Sequence, residues 1–136
     1  FVTMGDPTVF STSNYLTQKL TELQISVRHV PGISTINGTS TRLGIPLCVK
    51  GENFGVYEMP SDLGTTLELI RRHSTTVFMK VNKRLPVLLD AVEECRPEVA
   101  FLAQKIGLPE EKVYNLLSHD CTIENAYLSS AFIRQK

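Results

Sequence analysis

The chain has 136 residues, 42% of them hydrophobic and 21% charged, which is typical of a globular domain large enough to bury a core without disulfide or metal staples. Its 14 basic residues balance its 14 acidic residues, so the formal net charge is zero. Proteins that bind nucleic acid usually carry a basic excess, so this balance argues against a nucleic-acid partner. No apolar run approaches the roughly 20 residues that a membrane span needs, and the three cysteines have no metal-ligand spacing. We therefore expect a cytoplasmic protein without a membrane partner, a nucleic-acid partner or a bound metal.

The first third of the chain alternates short apolar runs with stretches of helical spacing. We predict a strand over residues 1–4, a helix over 11–23 and a strand over 25–30. Ser34 can cap the start of a helix, and Gly44 can adopt the left-handed backbone that ends many helices. A short helix is therefore predicted between these two residues.

The rest of the chain continues this alternation. The clearest strand is predicted over 75–81, because its β-branched and aromatic side chains favour a pleated, buried environment. Further strands are predicted over 47–50, 54–59, 99–103 and 128–133, and further helices over 62–72, 83–95 and 109–117. Pro109 and the two glutamates that follow it favour the last of these helices. Strands separated by helices indicate an α/β fold.

The loop Met4-Gly5-Asp6-Pro7 is the first candidate for a ligand site. A glycine after a strand permits a sharp turn and lets a ligand approach the backbone closely. Asp6 in such a loop can accept hydrogen bonds from ribose hydroxyls or from backbone N–H groups. The same residues are also typical of a plain turn, and taken alone they favour that simpler interpretation.

Five motifs follow one another along the chain in a fixed order. They are Gly5-Asp6-Pro7-Thr8-Val9-Phe10-Ser11-Thr12, Val30-Pro31-Gly32-Ile33-Ser34, Val77-Phe78-Met79-Lys80-Val81, Gly107-Leu108-Pro109-Glu110-Glu111 and Tyr127-Leu128-Ser129. In this order they resemble the signature of the tetrapyrrole (corrin and porphyrin) methylases, and the resemblance covers almost the whole chain. It implies a mixed sheet flanked by helices.

The resemblance also implies a cofactor and a reaction. Members of the family transfer a methyl group from S-adenosyl-methionine to a tetrapyrrole ring carbon and release S-adenosyl-homocysteine. Ser11-Thr12 and Met79-Lys80-Val81 resemble the branch that methylates C(20) of precorrin-2 or cobalt-factor II in cobalamin biosynthesis. Another branch, such as another precorrin methylase or diphthine synthase, is an alternative, and so is a non-catalytic α/β binding module.

Nine residues match positions that contact the cofactor in the family. They are Met4, Gly5, Asp6, Val9, Ser34, Thr35, Met79, Ala103 and Ala126. Ser34 could equally be a plain N-cap, and Met79 could equally fill a core. No catalytic acid or base is expected, because the cofactor's sulfonium already activates the methyl group and the protein has to orient donor and acceptor.

The resemblance divides the chain into two parts. Residues 1–30 would be the C-terminal tail of the family's first domain, and residues 31–136 would be its second domain. We therefore expect a part of a longer enzyme, inactive or poorly active alone. Apolar surface in the first part predicts pairing of two copies into a homodimer. Arg28, Arg42 and Lys50 lie near the signature loops and are candidates for binding the carboxylates of the tetrapyrrole.

Overall fold

The computed structural model describes residues 1–119 and 121–135. The helices in this part of the chain are α1 (Ser13–Glu22), α2 (Thr35–Leu43), α3 (Leu63–Arg72) and α4 (Leu85–Cys95), the last preceded by a 3-10 turn at Asn82–Arg84. The strands are β1 (Phe54–Glu58), β2 (Thr75–Met79), β3 (Val99–Gln104), β4 (Lys112–Asn115) and β5 (Ser129–Arg134). The predicted α/β class is confirmed.

The strands form a mixed five-stranded sheet in the order β1-β2-β5-β3-β4. β1 and β2 are parallel, and the other neighbouring pairs are antiparallel. β5 lies between β2 and β3 with its first residues opposite their last ones, Ser130 beside Met79 and Ser129 beside Gln104. The ends of β2 and β3 and the start of β5 therefore meet at one edge of the sheet.

Alternate residues of the central strands face two separate apolar clusters. Phe78 of β2 is fully buried with Ile70 of α3 and Leu88 of α4. Its neighbour Val77 packs instead with Ile36 of α2. Because successive side chains of a strand point to opposite faces, α3 and α4 cover one face of the sheet and α2 covers the other.

The ends of α2 and α3 follow from their capping residues. Ser34 Oγ accepts a hydrogen bond from the N–H of Ile36 at 3.3 Å, and Gly44 ends the helix with a φ of 68°. Asp62 Oδ1 accepts from the N–H of Thr65 at 2.8 Å and starts α3 in the same way. The helices predicted at these two places are confirmed.

The helix predicted over 109–117 is wrong. β4 occupies this part of the chain and pairs antiparallel with β3. Glu111, expected to stabilise a first helical turn, instead accepts a hydrogen bond from the N–H of Gly107 at 2.9 Å. Val113 and Tyr114 suit a strand, so pairing with the edge of β3 outweighs the local helix signals.

The strands predicted over 1–4, 25–30 and 47–50 do not form. Phe1 and Val2 are 89% and 94% exposed, and no strand among the described residues pairs with them. A lone extended segment leaves its backbone N–H and C=O groups to the solvent and gains nothing from a ladder. Apolar content alone therefore overpredicts strands here.

Candidate functional site

A cleft opens at the sheet edge where β2 and β3 end and β5 begins. Its remaining walls are residues 3–6, residues 9–12, one side of α2, the loop 105–108 and the segment 126–128. We call it the sheet-edge cleft. Its volume of about 1030 Å³ lies at the upper end of the range typical of small-molecule sites. In open α/β sheets, ligands bind outside the carboxyl ends of the strands. The sheet-edge cleft lies at the carboxyl ends of β2 and β3.

Two loops touch backbone to backbone at the wall formed by residues 3–6. Gly5 has a φ of 72°, a left-handed conformation that glycine adopts without steric strain. A Cβ built on Gly32 would lie 2.3 Å from the carbonyl oxygen of Gly5. Because this space admits no side chain, the Gly-Asp-Pro loop and the Pro-Gly turn form one structural unit.

The carboxylate of Asp6 connects the Gly-Asp-Pro loop to the Pro-Gly turn, and we call this contact between the two loops the junction. Its Oδ1 accepts from the N–H of Thr8 at 2.9 Å, and its Oδ2 accepts from the N–H of Gly32 at 3.2 Å. The hydroxyl of Thr8 also donates to Oδ1. These hydrogen bonds, that from the Thr8 hydroxyl foremost, hold the pKa of Asp6 below its ordinary value. Of the two roles expected for Asp6, the geometry shows the one that satisfies backbone N–H groups.

The first turn of α2 forms a polar wall. Ser34 and Thr35 both line the cleft, and Ser34 also caps the helix. The hydroxyl of Ser130 donates to Thr35 Oγ1 at 3.5 Å, which connects α2 to β5. The start of α2 therefore lines the cleft with hydroxyl groups that are tied to the start of β5.

The structure brings eight of the nine expected cofactor residues to this cleft, from four separated parts of the chain. They are Met4, Gly5, Asp6, Val9, Ser34, Thr35, Met79 and Ala126. Ala103 is the ninth, and it does not line the cleft. It is 1% exposed in β3, paired with Val113 on one side and Ser130 on the other. The neighbouring strands enclose it.

Gln104, the residue after Ala103, has a role in the cleft that was not predicted from the sequence. It is 5% exposed, and its Nε2 donates to Oδ1 of Asn125 and to the carbonyl of Tyr127, both at 2.9 Å. Ala126 lies between these two acceptors. Gln104 therefore fixes the wall that carries Ala126. The only sign of this role in the sequence is that Gln104 is a lone amide at the end of an apolar strand. A buried amide needs hydrogen-bond partners, so such a residue is expected to contact another segment.

An ion pair fixes another wall. Arg42 Nε donates to Glu111 Oε1 at 2.6 Å, and the N–H of Gly107 donates to Oε2 at 2.9 Å. The hydrogen bond from Gly107, followed by that from Arg42, holds the pKa of Glu111 below its ordinary value. Arg42 is thus the one of the three suggested basic residues that lines the cleft, because Arg28 and Lys50 lie outside it.

The acidic, cysteine and histidine side chains of residues 1–119 and 121–135 form no group of three or more that could hold a metal ion. Within the same residues, no helix has both the length and the apolar character that crossing a membrane requires.

A family model, two curated proteins and solved structures that resemble this chain all point to the same protein family. Residues 1–119 match the model of the Tetrapyrrole (Corrin/Porphyrin) Methylases. The chain is 29% identical over 136 residues to the probable cobalt-precorrin-2 C(20)-methyltransferase of Methanocaldococcus jannaschii, covering 98% of this chain and 57% of that protein. It is 25% identical over 121 residues to the cobalt-precorrin-2 C(20)-methyltransferase of Salmonella typhimurium, covering 86% of this chain and 49% of that protein.

The fold is similar to that of a uroporphyrin-III C-methyl transferase from Thermus thermophilus complexed with S-adenyl homocysteine. The TM-score is 0.65 at 16% identity, and the match covers 96% of this chain and 62% of that one. The chain spans about half the length of the curated relatives it matches. The family model extends from the Gly-Asp-Pro loop through β4 and so includes most of the sheet-edge cleft. The chain therefore belongs to the tetrapyrrole (corrin/porphyrin) methylase family.

Proposed function

We propose that this chain is part of a cytoplasmic enzyme that transfers the methyl group of S-adenosyl-methionine to C(20) of precorrin-2 or cobalt-factor II in cobalamin biosynthesis. S-adenosyl-homocysteine would be the second product. The names of the two curated relatives support this branch of the family, as do the Ser11-Thr12 and Met79-Lys80-Val81 motifs. Another tetrapyrrole acceptor is the alternative.

The convergence of separated motifs on the sheet-edge cleft carries the proposal. The cofactor residues expected at 4–9 and at 34–35 meet there with Met79 and Ala126. They come from two loops, one helix start and one strand end. An α/β module that binds no such cofactor has no physical reason to gather these residues around one cleft.

The residues of the cleft fit a nucleoside that carries an amino-acid chain. The volume of about 1030 Å³ is ample for one such ligand. The contact between Gly5 and Gly32 leaves backbone rather than side chains at one wall, so a ligand can approach closely there. Met79 and Ala126 supply apolar surface, while the first turn of α2 supplies polar groups.

When bound, S-adenosyl-methionine supplies an activated methyl group on a sulfonium. The task of the protein is then to hold donor and acceptor in line, and orientation of this kind lowers the barrier to transfer. In this chain Asp6 fixes the two loops of one wall, and Gln104 fixes the segment that contains Ala126. Neither residue needs to exchange a proton with the substrate.

We also propose that residues 1–30 are the tail of a first domain, that residues 31–136 form a second domain, and that the chain alone is inactive or poorly active. The first part makes few buried contacts, since Tyr15 and Leu23 at α1 are 74% and 70% exposed. Apolar surface of this kind is usually covered by another protein surface. A homodimer would supply such a surface.

Photochemical crosslinking tests the site directly. The chain would be irradiated with S-adenosyl-methionine labelled in its methyl group, and the labelled peptides would be identified by mass spectrometry. We expect label in peptides that contain residues 4–12 and 126–130, and we expect excess S-adenosyl-homocysteine to prevent it. Label confined to other peptides, or label that the competitor does not prevent, would refute the proposed site.

A further inference from the structure

The backbone of the sheet-edge cleft is strained in a specific pattern. Residues other than glycine rarely adopt positive φ, and such residues concentrate at functional sites. The residues other than glycine that do so in the described chain are Phe10, Gln24, Lys80, Arg96, Lys105 and Leu128. Gln24 and Arg96 lie within two residues of the ends of α1 and α4, where left-handed residues are common. The other four all line the cleft.

Three of these four residues lie side by side at the sheet edge. Lys80 directly follows β2, Lys105 directly follows β3, and Leu128 directly precedes β5. The N–H of Lys105 donates to the carbonyl of Leu128 at 2.9 Å. Because β5 separates β2 from β3, the two lysine backbones flank it about 10 Å apart, two strand spacings. Two cationic residues therefore stand at fixed positions on the same wall.

The charges of the cleft do not cancel around these lysines. The charged residues that line it are Asp6, Arg42, Lys80, Lys105 and Glu111. Both oxygens of Asp6 accept backbone N–H groups, and both oxygens of Glu111 are occupied by Arg42 and Gly107. The two carboxylates of the cleft are thus already satisfied.

The partners of the lysines lie outside the cleft. Lys80 Nζ is 3.3 Å from Glu58 Oε2, and Lys105 Nζ is 3.9 Å from Glu110 Oε1. Neither glutamate lines the cleft, and the side chain of Glu110 is 65% exposed. Lys80 Nζ also lies 5.7 Å from the centre of the Phe10 ring, which can hold the ammonium at the cleft wall. Exposed ion pairs of this kind contribute little to stability, so each lysine can leave its glutamate to pair with an anion in the cleft.

We propose that Lys80 and Lys105 bind a carboxylate of the ligand that occupies the sheet-edge cleft. This inference rests on the proposed function and adds to it the residues that recognise negative charge. Two sources share this chemistry, the amino-acid carboxylate of the cofactor and the side-chain carboxylates of a tetrapyrrole. Strand ends fix the backbones of the two lysines, so both ammonium groups stay within reach of an anion in the cleft.

Three probes distinguish the two sources in calorimetric titrations of the chain. S-adenosyl-homocysteine carries the amino-acid carboxylate, 5′-methylthioadenosine lacks it, and uroporphyrin III is a polycarboxylate tetrapyrrole. Each would be titrated into the chain, Lys80→Met, Lys105→Met and the control Lys112→Met, which changes a β4 residue outside the cleft. Methionine keeps the unbranched stem and the Cβ, and circular dichroism would verify that each variant folds.

We expect each cleft variant to weaken binding of a carboxylate probe about 10-fold, as loss of one charge-assisted hydrogen bond does. Loss for S-adenosyl-homocysteine with unchanged methylthioadenosine binding would assign the lysines to the cofactor. Loss for uroporphyrin III alone would assign them to the acceptor. Unchanged binding of every probe, or an equal loss for methylthioadenosine, would overturn the inference.

The proposed function can fail separately. A chain that binds uroporphyrin III through the two lysines but binds neither adenosine compound would refute the cofactor site and leave the lysine inference standing. A chain that binds none of the three probes would overturn both.

Discussion

Gly32 lies against the carbonyl of Gly5 with no space for a side chain. We expect Gly32→Ala to lower the free energy of unfolding by about 1–3 kcal/mol, the usual cost of forcing extra volume into a packed position. The added methyl would press on backbone atoms, which cannot rotate away as a flexible side chain can. Urea denaturation of the variant and the unsubstituted chain measures this difference.

Gly64→Ala is the matched control for this substitution. A Cβ on Gly64 in α3 would meet Asp62 Oδ1 at 3.5 Å, an ordinary contact. Alanine is favoured over glycine inside a helix by about 0.5–1 kcal/mol, so this variant should be at least as stable as the unsubstituted chain. Equal losses in the two variants, or an unaffected Gly32→Ala, would contradict the close contact of the two loops.

Asp6 should make stability depend on pH. Its pKa in the folded chain lies below the ordinary value of 3.8, with the Thr8 hydroxyl as the main cause. A lowered folded pKa means that the ionised group stabilises the fold above the unfolded pKa, and that this stabilisation is lost as the pH falls through the folded pKa. The melting temperature of Asp6→Asn should therefore lie below that of the unsubstituted chain at neutral pH.

The two melting temperatures should converge as the pH falls below 3.8, because the protonated aspartic acid resembles asparagine in charge. Differential scanning calorimetry between neutral and acidic pH measures this convergence. A gap that stays constant or widens on acidification would show that the charge of Asp6 does not stabilise the junction.

Some residues of the cleft were predictable from the sequence, because the signals that mark them lie within a few residues of each position. Gly5 and Asp6 lie in a short loop whose residue types restrict the backbone by themselves, and Ser34 is recognisable as a helix cap. Gln104 and Lys105 were not predicted, because their role depends on the start of β5, more than twenty residues later in the chain. A pairing between distant segments leaves no local pattern.

The same division holds for whole elements. Capping residues and apolar spacing predicted α1 to α4 of the described chain, since the signals that start and end a helix lie within or beside it. β1, β2, β3 and β5 were predicted from their β-branched and aromatic content. β4 was predicted as a helix, because Pro109 and the two glutamates resemble a helix start while the partner edge of β3 is invisible to local pattern. The strands predicted over 1–4, 25–30 and 47–50 were wrong for the same reason, because a local pattern does not show whether a segment has a strand to pair with.

The start of β5 should depend on the end of β3. We expect Gln104→Leu to lower the free energy of unfolding by about 1–3 kcal/mol, because it leaves acceptors at Asn125 and Tyr127 without their donor. It should also weaken binding of S-adenosyl-homocysteine, since Ala126 lies between those acceptors. Chemical denaturation and calorimetry measure the two effects.

Gln18→Leu provides the comparison, because Gln18 is exposed on α1 and lies outside the cleft. It should change neither quantity measurably. Normal stability and normal ligand affinity in Gln104→Leu would show that the amide does not hold this wall of the cleft.

Apolar surface is distributed unevenly over the whole molecule. Eleven of the eighteen exposed large hydrophobic residues in the described chain lie within residues 1–33. We therefore expect the isolated chain to form a dimer through this segment, and we expect the double substitution Tyr15→Glu and Leu23→Glu to shift it towards the monomer. Light scattering over a concentration series measures both species.

Leu89→Glu is the control for this prediction, since Leu89 is an exposed apolar residue of α4 far along the chain from that segment. It should leave the dimer intact. A monomer at every concentration, or equal dissociation by all the substitutions, would count against pairing through residues 1–33.

Cofactor binding in the sheet-edge cleft is tested most directly by a calorimetric titration of S-adenosyl-homocysteine into the purified chain. The unsubstituted chain should bind one equivalent saturably, and Asp6→Ala should weaken binding because it releases the junction of the two loops. Asp62→Ala removes a carboxylate that also accepts a backbone N–H, at the start of α3 and outside the cleft, and this variant should bind normally. Absence of saturable binding, or equal weakening by both substitutions, would contradict a cofactor site in this cleft.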